Sequence, residues 1–261
     1  PLFFLMVTSL LMRAIGILIV NTILPNTPIE VLIFSGYIFI AYAVKKGIEV
    51  IARVSEILGP AYLIRFIILF LLVIPSMKTN RLRPQLAEGF YPIFSGSMFI
   101  LTFIGICIMM GMYIPICNHI ENGFIAKFIA VTLGAFIICS IVILCISIFG
   151  AEQAGNMIDP GLMLARMIRI GDAIDRVEVI WFMIAMEAGL MTSVSLIWAS
   201  SLGISQIIGL STYKPIIYPV TLIAAVLSII SFDNSMEVLN FTFYSYPFIG
   251  IFIETCLEVF L

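Results

Sequence analysis

Apolar runs of about 20 residues, separated by short polar or proline- and glycine-bearing punctuation, recur along the whole chain, and a run of that length crosses the hydrocarbon core of a bilayer as a helix. The first covers residues 2–24 and stops at Pro25-Asn26-Thr27-Pro28, where two prolines so close together cannot continue a helix. The second, 29–44, stops at Lys45-Lys46-Gly47, and Gly47 suits the left-handed cap that reverses the chain. The third runs over 48–74. In its first turns Ile48, Ile51, Ala52 and Ser55 share one face while Glu49, Arg53 and Glu56 occupy another, so that portion is expected at the membrane interface. After a polar loop at 75–91, further runs cover 92–117 and 124–149. The polar segment 150–171 is expected to hold a short surface helix near 162–170. Three more runs follow at 172–208, 215–230 and 241–261. The pattern predicts an all-α polytopic membrane protein with eight spans, forming a single transmembrane domain over residues 1–261. The chain opens on Pro1 and is apolar from there, so it is expected to be an N-terminally truncated fragment.

Composition agrees with a membrane location: 62% of residues are hydrophobic and only 11% charged, against roughly 25% charged in an ordinary soluble domain. The net charge of −2 comes with no basic face, which argues against nucleic acid as a partner. The five cysteines, Cys107, Cys117, Cys139, Cys145 and Cys256, lie in or beside apolar runs and read as small hydrophobes. His119 is the only histidine, which excludes a zinc site built on a histidine pair; the Asn118, His119 and Glu121 segment reads as a solvated turn. No phosphate-cradling glycine loop, nucleophile elbow or HExxH motif is present, so no enzyme, metal site or cofactor is expected. The methionines read as lipid-facing or core filler, with Met186 a candidate to line a pocket. Charge does not orient the chain. With the 25–28 turn outside, Lys45, Lys46, Arg53, Lys127 and Lys214 fall inside, and Lys78, Arg81, Arg83, Arg166, Arg169 and Arg176 outside, which is a tie under the positive-inside rule.

Arg13, Arg65 and Glu187 sit well inside apolar runs. Ionised groups are costly there and by default pair or line a cavity. Arg13 precedes the end of its run at Leu24 by about as many residues as Glu187 follows Arg176 in a run of opposite direction, so both lie about 16 Å below one surface. They are expected to form a charge pair at mid-membrane depth; the alternative is that each finds a backbone carbonyl or water separately. Arg65 is expected to snorkel or to meet a polar neighbour near Pro60 and Tyr62. Asp172, Asp175, Arg176 and Glu178 read as a solvated helix start whose acids the helix dipole favours.

Four stretches carry a resemblance: LPNTPIEV at 24–31, AYAVKKGIEVIARVSEILGP at 41–60, LAEGFYPIFSG at 86–96 and IDRVEVIWF at 174–182. They are similar to a "Leu-Pro-x-Thr-Pro" turn, a "Lys-Gly-Ile-Glu-x-Ile-Ala-Arg" hairpin, a "Gly-x-x-Pro-Ile" helix start and a "Glu-Arg-x-Glu" helix opening. The last reads Asp175-Arg176-Val177-Glu178 here. The chain thereby resembles the B subunits of bacterial spore germinant receptors, the spore permease family of the amino acid–polyamine–organocation transporter superfamily, over essentially its whole length. The resemblance implies that the eight spans are helices three to ten of a ten-helix, inverted-repeat, amino-acid-permease-like fold whose first two helices are absent. It puts Lys45, Gly47 and Lys214 on the cytoplasmic side, and makes the third and eighth helices, which carry Arg13 and Glu187, neighbours in the scaffold.

The resemblance also implies a small germinant, an amino acid, bound near the midplane where the first and sixth helices are interrupted. In the sixth, Thr102, Phe103, Ile104, Gly105 and Ile106 are the candidate ligand contacts, with Met186 a further one. Gly105 would permit an unwound backbone, or would simply allow close helix packing. The chain departs from the family pattern by placing Ile106 where a phenylalanine–glycine–glutamate sequence has its acid, which leaves the acid's role without a bearer. The implied partners are the A and C subunits of the receptor and the lipid bilayer, in the inner membrane of the spore. Two other functions fit the same residues: an ion- or proton-coupled amino acid transporter with Glu187 as proton carrier, and a scaffold subunit without a ligand.

Overall fold

The computed structural model describes residues 1–83, 89–117, 119–168 and 177–260, and every regular element among them is helical. The main helices are α1 (Leu2–Thr22), α2 (Ile29–Lys46), α3 (Ile48–Val73), α4 (Tyr91–Gly105), α5 (Gly123–Phe149), α6 (Pro160–Met167), α7 (Glu178–Ile208), α8 (Ile217–Ile230), α9 (Ser235–Asn240) and α10 (Tyr246–Phe260). Short 3-10 and π turns fill some of the intervals. The turn at Pro25 and Pro28 separates α1 from α2, and Gly47, at φ 100°, separates α2 from α3. Asn118, Asp172, Asp175 and Arg176 lie outside the described residues.

The expected eight spans are corrected to five: Leu2–Thr22, Ile48–Ser76, Ile93–Ile116, Ile120–Phe149 and Glu178–Ile208 are the described helices long and apolar enough to cross a membrane, or six if one bent pair counts as a span. Charge and a bend explain the difference. The α2 helix has 18 residues and includes Glu30, Lys45 and Lys46, so it measures about 27 Å with charge at both ends, against a core of about 30 Å. The last two apolar runs do not make two spans either. Lys214–Ile230 and Ser235–Glu254 form a pair bent by 109°. The eight-span, inverted-repeat arrangement therefore gives way to an all-α membrane fold with five candidate spans, or six, among the described residues.

The chain divides into two compact units, Pro1–Gly59 with Ala185–Leu261, and Pro60–Ile184. In the first unit α1, α2 and α8 pack against one another. Their buried stripes follow the helical period: Ile33, Tyr37, Ile40 and Val44 on α2, and Ile217, Val220, Thr221, Ala224 and Ser228 on α8, each spaced by three or four residues. Tyr37 and Ser228 join the two helices at 2.7 Å. The Ser228 hydroxyl already donates to the carbonyl of Ala224, so the tyrosine supplies the proton of the interhelical bond. Residues Val194, Leu196, Ile197 and Trp198 of α7 are buried on successive faces, the mark of a core helix.

In the second unit, Val73 of α3 packs with Leu144, Cys145 and Ile148 of α5 and Leu164 of α6, while Leu69, Ala165 and Val177 form an adjoining cluster. The surface helix expected near 162–170 is α6. Its N-cap is Asp159, whose carboxylate accepts from the Leu162 amide at 2.9 Å, with Pro160 in the first turn as its fixed φ favours. Three contacts hold α6 to the start of α7. The Trp181 indole donates to Asp159 at 3.4 Å, Gly161 lies directly under the Trp181 ring, and Arg166 donates to Glu178 at 2.9 Å.

Candidate functional site

The 92–117 run becomes an interrupted helix. The α4 helix begins with Pro92 in its first turn, where the missing N–H is not needed. It ends at Gly105, and the chain continues as a 3-10 segment, Ile106–Met109, a single α-turn at Met110–Tyr113 and a second 3-10 turn at Ile114–Ile116. The backbone does not unwind at Gly105; it tightens. Gly105 has φ −61° and ψ −22° and Ile106 φ −52° and ψ −24°, both right-handed helical values, so the glycine's access to positive φ is not used. A 3-10 stretch inside a span draws its bonds from i−4 to i−3 and often marks a hinge.

The side chains around the interruption are apolar with one hydroxyl among them. Thr102 is fully buried and its Oγ1 donates to the carbonyl of Met98 at 3.1 Å, a bond that spares the hydroxyl an unsatisfied burial and tends to bend a helix. The Phe99 and Phe103 rings sit 5.0 Å apart. Ile106 is buried, so the position where the resemblance implies an acid holds an apolar contact here. Ile104 and Gly105 are half-buried.

Met186 belongs to the other unit. There it lines a cavity of about 170 Å³ with Met12, Ile15 and Gly16 of α1 and Ser35 and Gly36 of α2. The α1 and α7 helices meet closely beside it, because a Cβ on Gly189 would collide with the side chain of Ile15. Gly16 likewise leaves room for Ile29, 2.9 Å from where its Cβ would stand. Small residues at such crossings let helices approach without a hydrophobic driving force in lipid.

Arg13, one residue beyond Met12, is only 5% exposed. Its Nη2 donates to the main-chain carbonyl of Asp233 at 3.5 Å, and its Nε is buried with no hydrogen-bond partner among the described residues. Glu187, on the neighbouring α7, is half-buried with one carboxylate oxygen shielded from solvent. Arg65 donates from Nε to the carbonyl of Ala61, one turn back, at 3.0 Å.

Asp233 belongs to a second discontinuity that the apolar pattern does not reveal, the 109° bend between α8 and α9. The Asn234 side chain accepts from the Glu237 amide at 2.9 Å, and the Glu237 carboxylate accepts from the Asp233 amide at 2.8 Å. This pair is a variant of the capping box, with Glu237 reaching one residue beyond the N-cap, and it restarts the helix after the break. Phe232 folds inward onto Phe241, ring centroids 5.5 Å apart. The sequence signal was available: Asn234-Ser235-Met236-Glu237 has the spacing of a capping box, and the Asp159-Pro160 pair signals the start of α6 in the same way.

The family pattern described as "Spore germination protein" matches residues 1–236. The chain belongs to that family. It is 28% identical over 246 residues to Spore germination protein KB of Bacillus subtilis, a match covering 92% of this chain and 65% of the relative. Spore germination protein YndE of the same organism is 27% identical over 194 residues, covering 71% of this chain and 51% of the relative. The chain thus spans between half and two thirds of the length of these curated relatives. No solved structure matches. Within the spore germination family, this chain is a membrane-embedded, multi-pass member.

Proposed function

We propose that this chain is the germinant-sensing membrane subunit of a spore germinant receptor, binding a small germinant, an amino acid, and passing a conformational signal to A and C subunits in the inner spore membrane. The observation that carries the reading is the helix interruption inside the Ile93–Ile116 span, where α4 ends at Gly105 and a 3-10 segment follows. Interrupted helices within a bilayer are tolerated where they are enclosed by protein or line a cavity, and they recur where transport proteins hold small ligands. Family membership supports the same reading. In it, Thr102, Phe103, Ile104, Gly105 and Ile106 contact the germinant. A ligand shifts such a protein only by its differential affinity for two states, so sensing requires no covalent step.

The test is made in spores carrying the full-length protein with Gly105→Leu. A leucine at the junction adds bulk where the backbone changes from α to 3-10 geometry. The half-maximal germinant concentration rises by about tenfold or more, the equivalent of about 1.4 kcal/mol of lost binding, while receptor abundance on immunoblots stays at the wild-type level. An unchanged dose response at equal abundance contradicts the assignment.

A further inference from the structure

The exposed side of α2 and α8 carries a groove of about 320 Å³, within the first unit. Phe34, Ile38 and Ala41 form one wall, and Leu222 and Ala225 the other. Its rim is exposed, Ile38 at 71% and Leu222 at 59%, while Ala41 and Ala225 are buried at its base; an exposed apolar rim is for a membrane-embedded chain the ordinary condition of a surface facing hydrocarbon. The floor is fixed by the buried Tyr37–Ser228 hydrogen bond between the two helices.

One end of the groove is built differently. Lys45 donates from Nζ to the Tyr218 hydroxyl at 2.7 Å and lies 4.9 Å from the centre of that ring. Lys46 stands 5.1 Å over the ring of Tyr42. Both Tyr42 and Tyr218 line the groove. The Tyr213 hydroxyl comes to this same end, 3.8 Å from where a Cβ on Gly47 would stand, and Lys214 is the next residue. The nearest following acid, Glu49, is engaged by Arg53 at 2.7 Å. Two lysines and three tyrosines therefore crown an apolar groove, the composition of a membrane interface with excess positive charge.

The dimensions decide the occupant. From Phe34 to Lys45 is eleven residues of α2, or about 16 Å of helix, close to one leaflet of a hydrocarbon core about 30 Å thick. A lysine ammonium has three donors, so after the bond to Tyr218 two N–H groups of Lys45 remain for a phosphate, and the tyrosine contacts hold both lysines at the groove mouth. We propose that this groove binds an anionic glycerophospholipid, one acyl chain lying between α2 and α8 and the phosphate meeting Lys45 and Lys46. Basic pockets of this kind between membrane helices select anionic headgroups. A neutral lipid fills the groove without using its charge.

The full-length protein in neutral detergent is titrated with dioctanoyl phosphatidylglycerol, with dioctanoyl phosphatidylcholine and with inorganic phosphate, and thermal unfolding is followed. Phosphatidylglycerol raises the unfolding temperature along a saturating curve, with an apparent affinity about tenfold or more above that of phosphatidylcholine, and phosphate alone has no effect. The Lys45→Gln/Lys46→Gln variant loses that preference. Leu222→Trp, which adds bulk at an exposed position and leaves both lysines intact, weakens binding of both lipids; it serves as the reading if the lysine variant fails to fold. Equal stabilisation by the two lipids, stabilisation by phosphate alone, wild-type lipid response in either variant, or a lipid-independent dimer closing this face would each overturn the proposal.

Discussion

At Gly161 a single added methyl group meets an aromatic ring. A Cβ there would run into the Trp181 ring, with Cε2 only 2.7 Å away, and the ring cannot retreat freely because its N–H is held by Asp159. Overpacking of this kind typically costs about 1–3 kcal/mol. Gly161→Ala is expected to lower the thermal unfolding midpoint of the purified protein, whereas Gly134→Ala, in open space on α5, is expected to hold or raise it because alanine is the better helix former. Equal behaviour of the two variants would mean that the α6–α7 packing is not as described. Charges inside apolar runs were legible as residues that need partners: Arg65 donates to the Ala61 carbonyl, between Pro60 and Tyr62, whereas the carbonyl that Arg13 meets was not legible. The sequence places Arg13 and Glu187 at a common depth, yet the bond that Arg13 makes is to a main-chain carbonyl at a helix break. A carbonyl freed by a bend leaves no side-chain signature to read.

At the scale of elements, proline and glycine punctuation located the helices closely. The run expected at 29–44 is Ile29–Lys46, and that at 48–74 is Ile48–Val73. What the apolar pattern could not supply was the path between runs. The segment 231–240 is rich in serine, aspartate and asparagine, and it reads as a connector until the Asn234–Glu237 spacing is recognised. It then becomes a cap that bends the chain by 109° and starts α9. Asn234→Ala removes the acceptor for the Glu237 amide and is expected to cost about 1 kcal/mol of stability, as loss of an N-cap does. Asn234→Asp preserves it. Equal stability of the alanine and aspartate variants in chemical or thermal unfolding would contradict the role of the cap. The Gly105 interruption was legible as a place, through a glycine midway along an apolar run, but its geometry was not. Whether a permissive residue unwinds or tightens depends on neighbours such as the buried Thr102 and the Phe99–Phe103 pair, which packing decides.

For the whole molecule, hydropathy established the class, an all-α membrane protein, and overcounted the spans. The count failed because hydropathy measures apolar content and not reach. An 18-residue helix charged at both ends and a pair of helices sharply bent at a break read as three spans in the apolar pattern, but the charges shorten the first and the bend breaks the second. The family resemblance, read from a handful of turn and hairpin stretches, named the right family while implying too many spans. The function proposed for the whole molecule depends on one property, specific recognition of a small germinant at the interrupted helix. It is tested most directly by thermal unfolding of the purified full-length protein against a panel of amino acids, with Gly105→Leu measured in parallel. The account predicts that at least one amino acid raises the wild-type unfolding temperature, by the equivalent of about 2.7 kcal/mol at a hundredfold excess over its dissociation constant, and leaves the variant unmoved. Stabilisation of both proteins alike would move the site away from the interruption, and stabilisation of neither by any amino acid would contradict germinant binding by this chain.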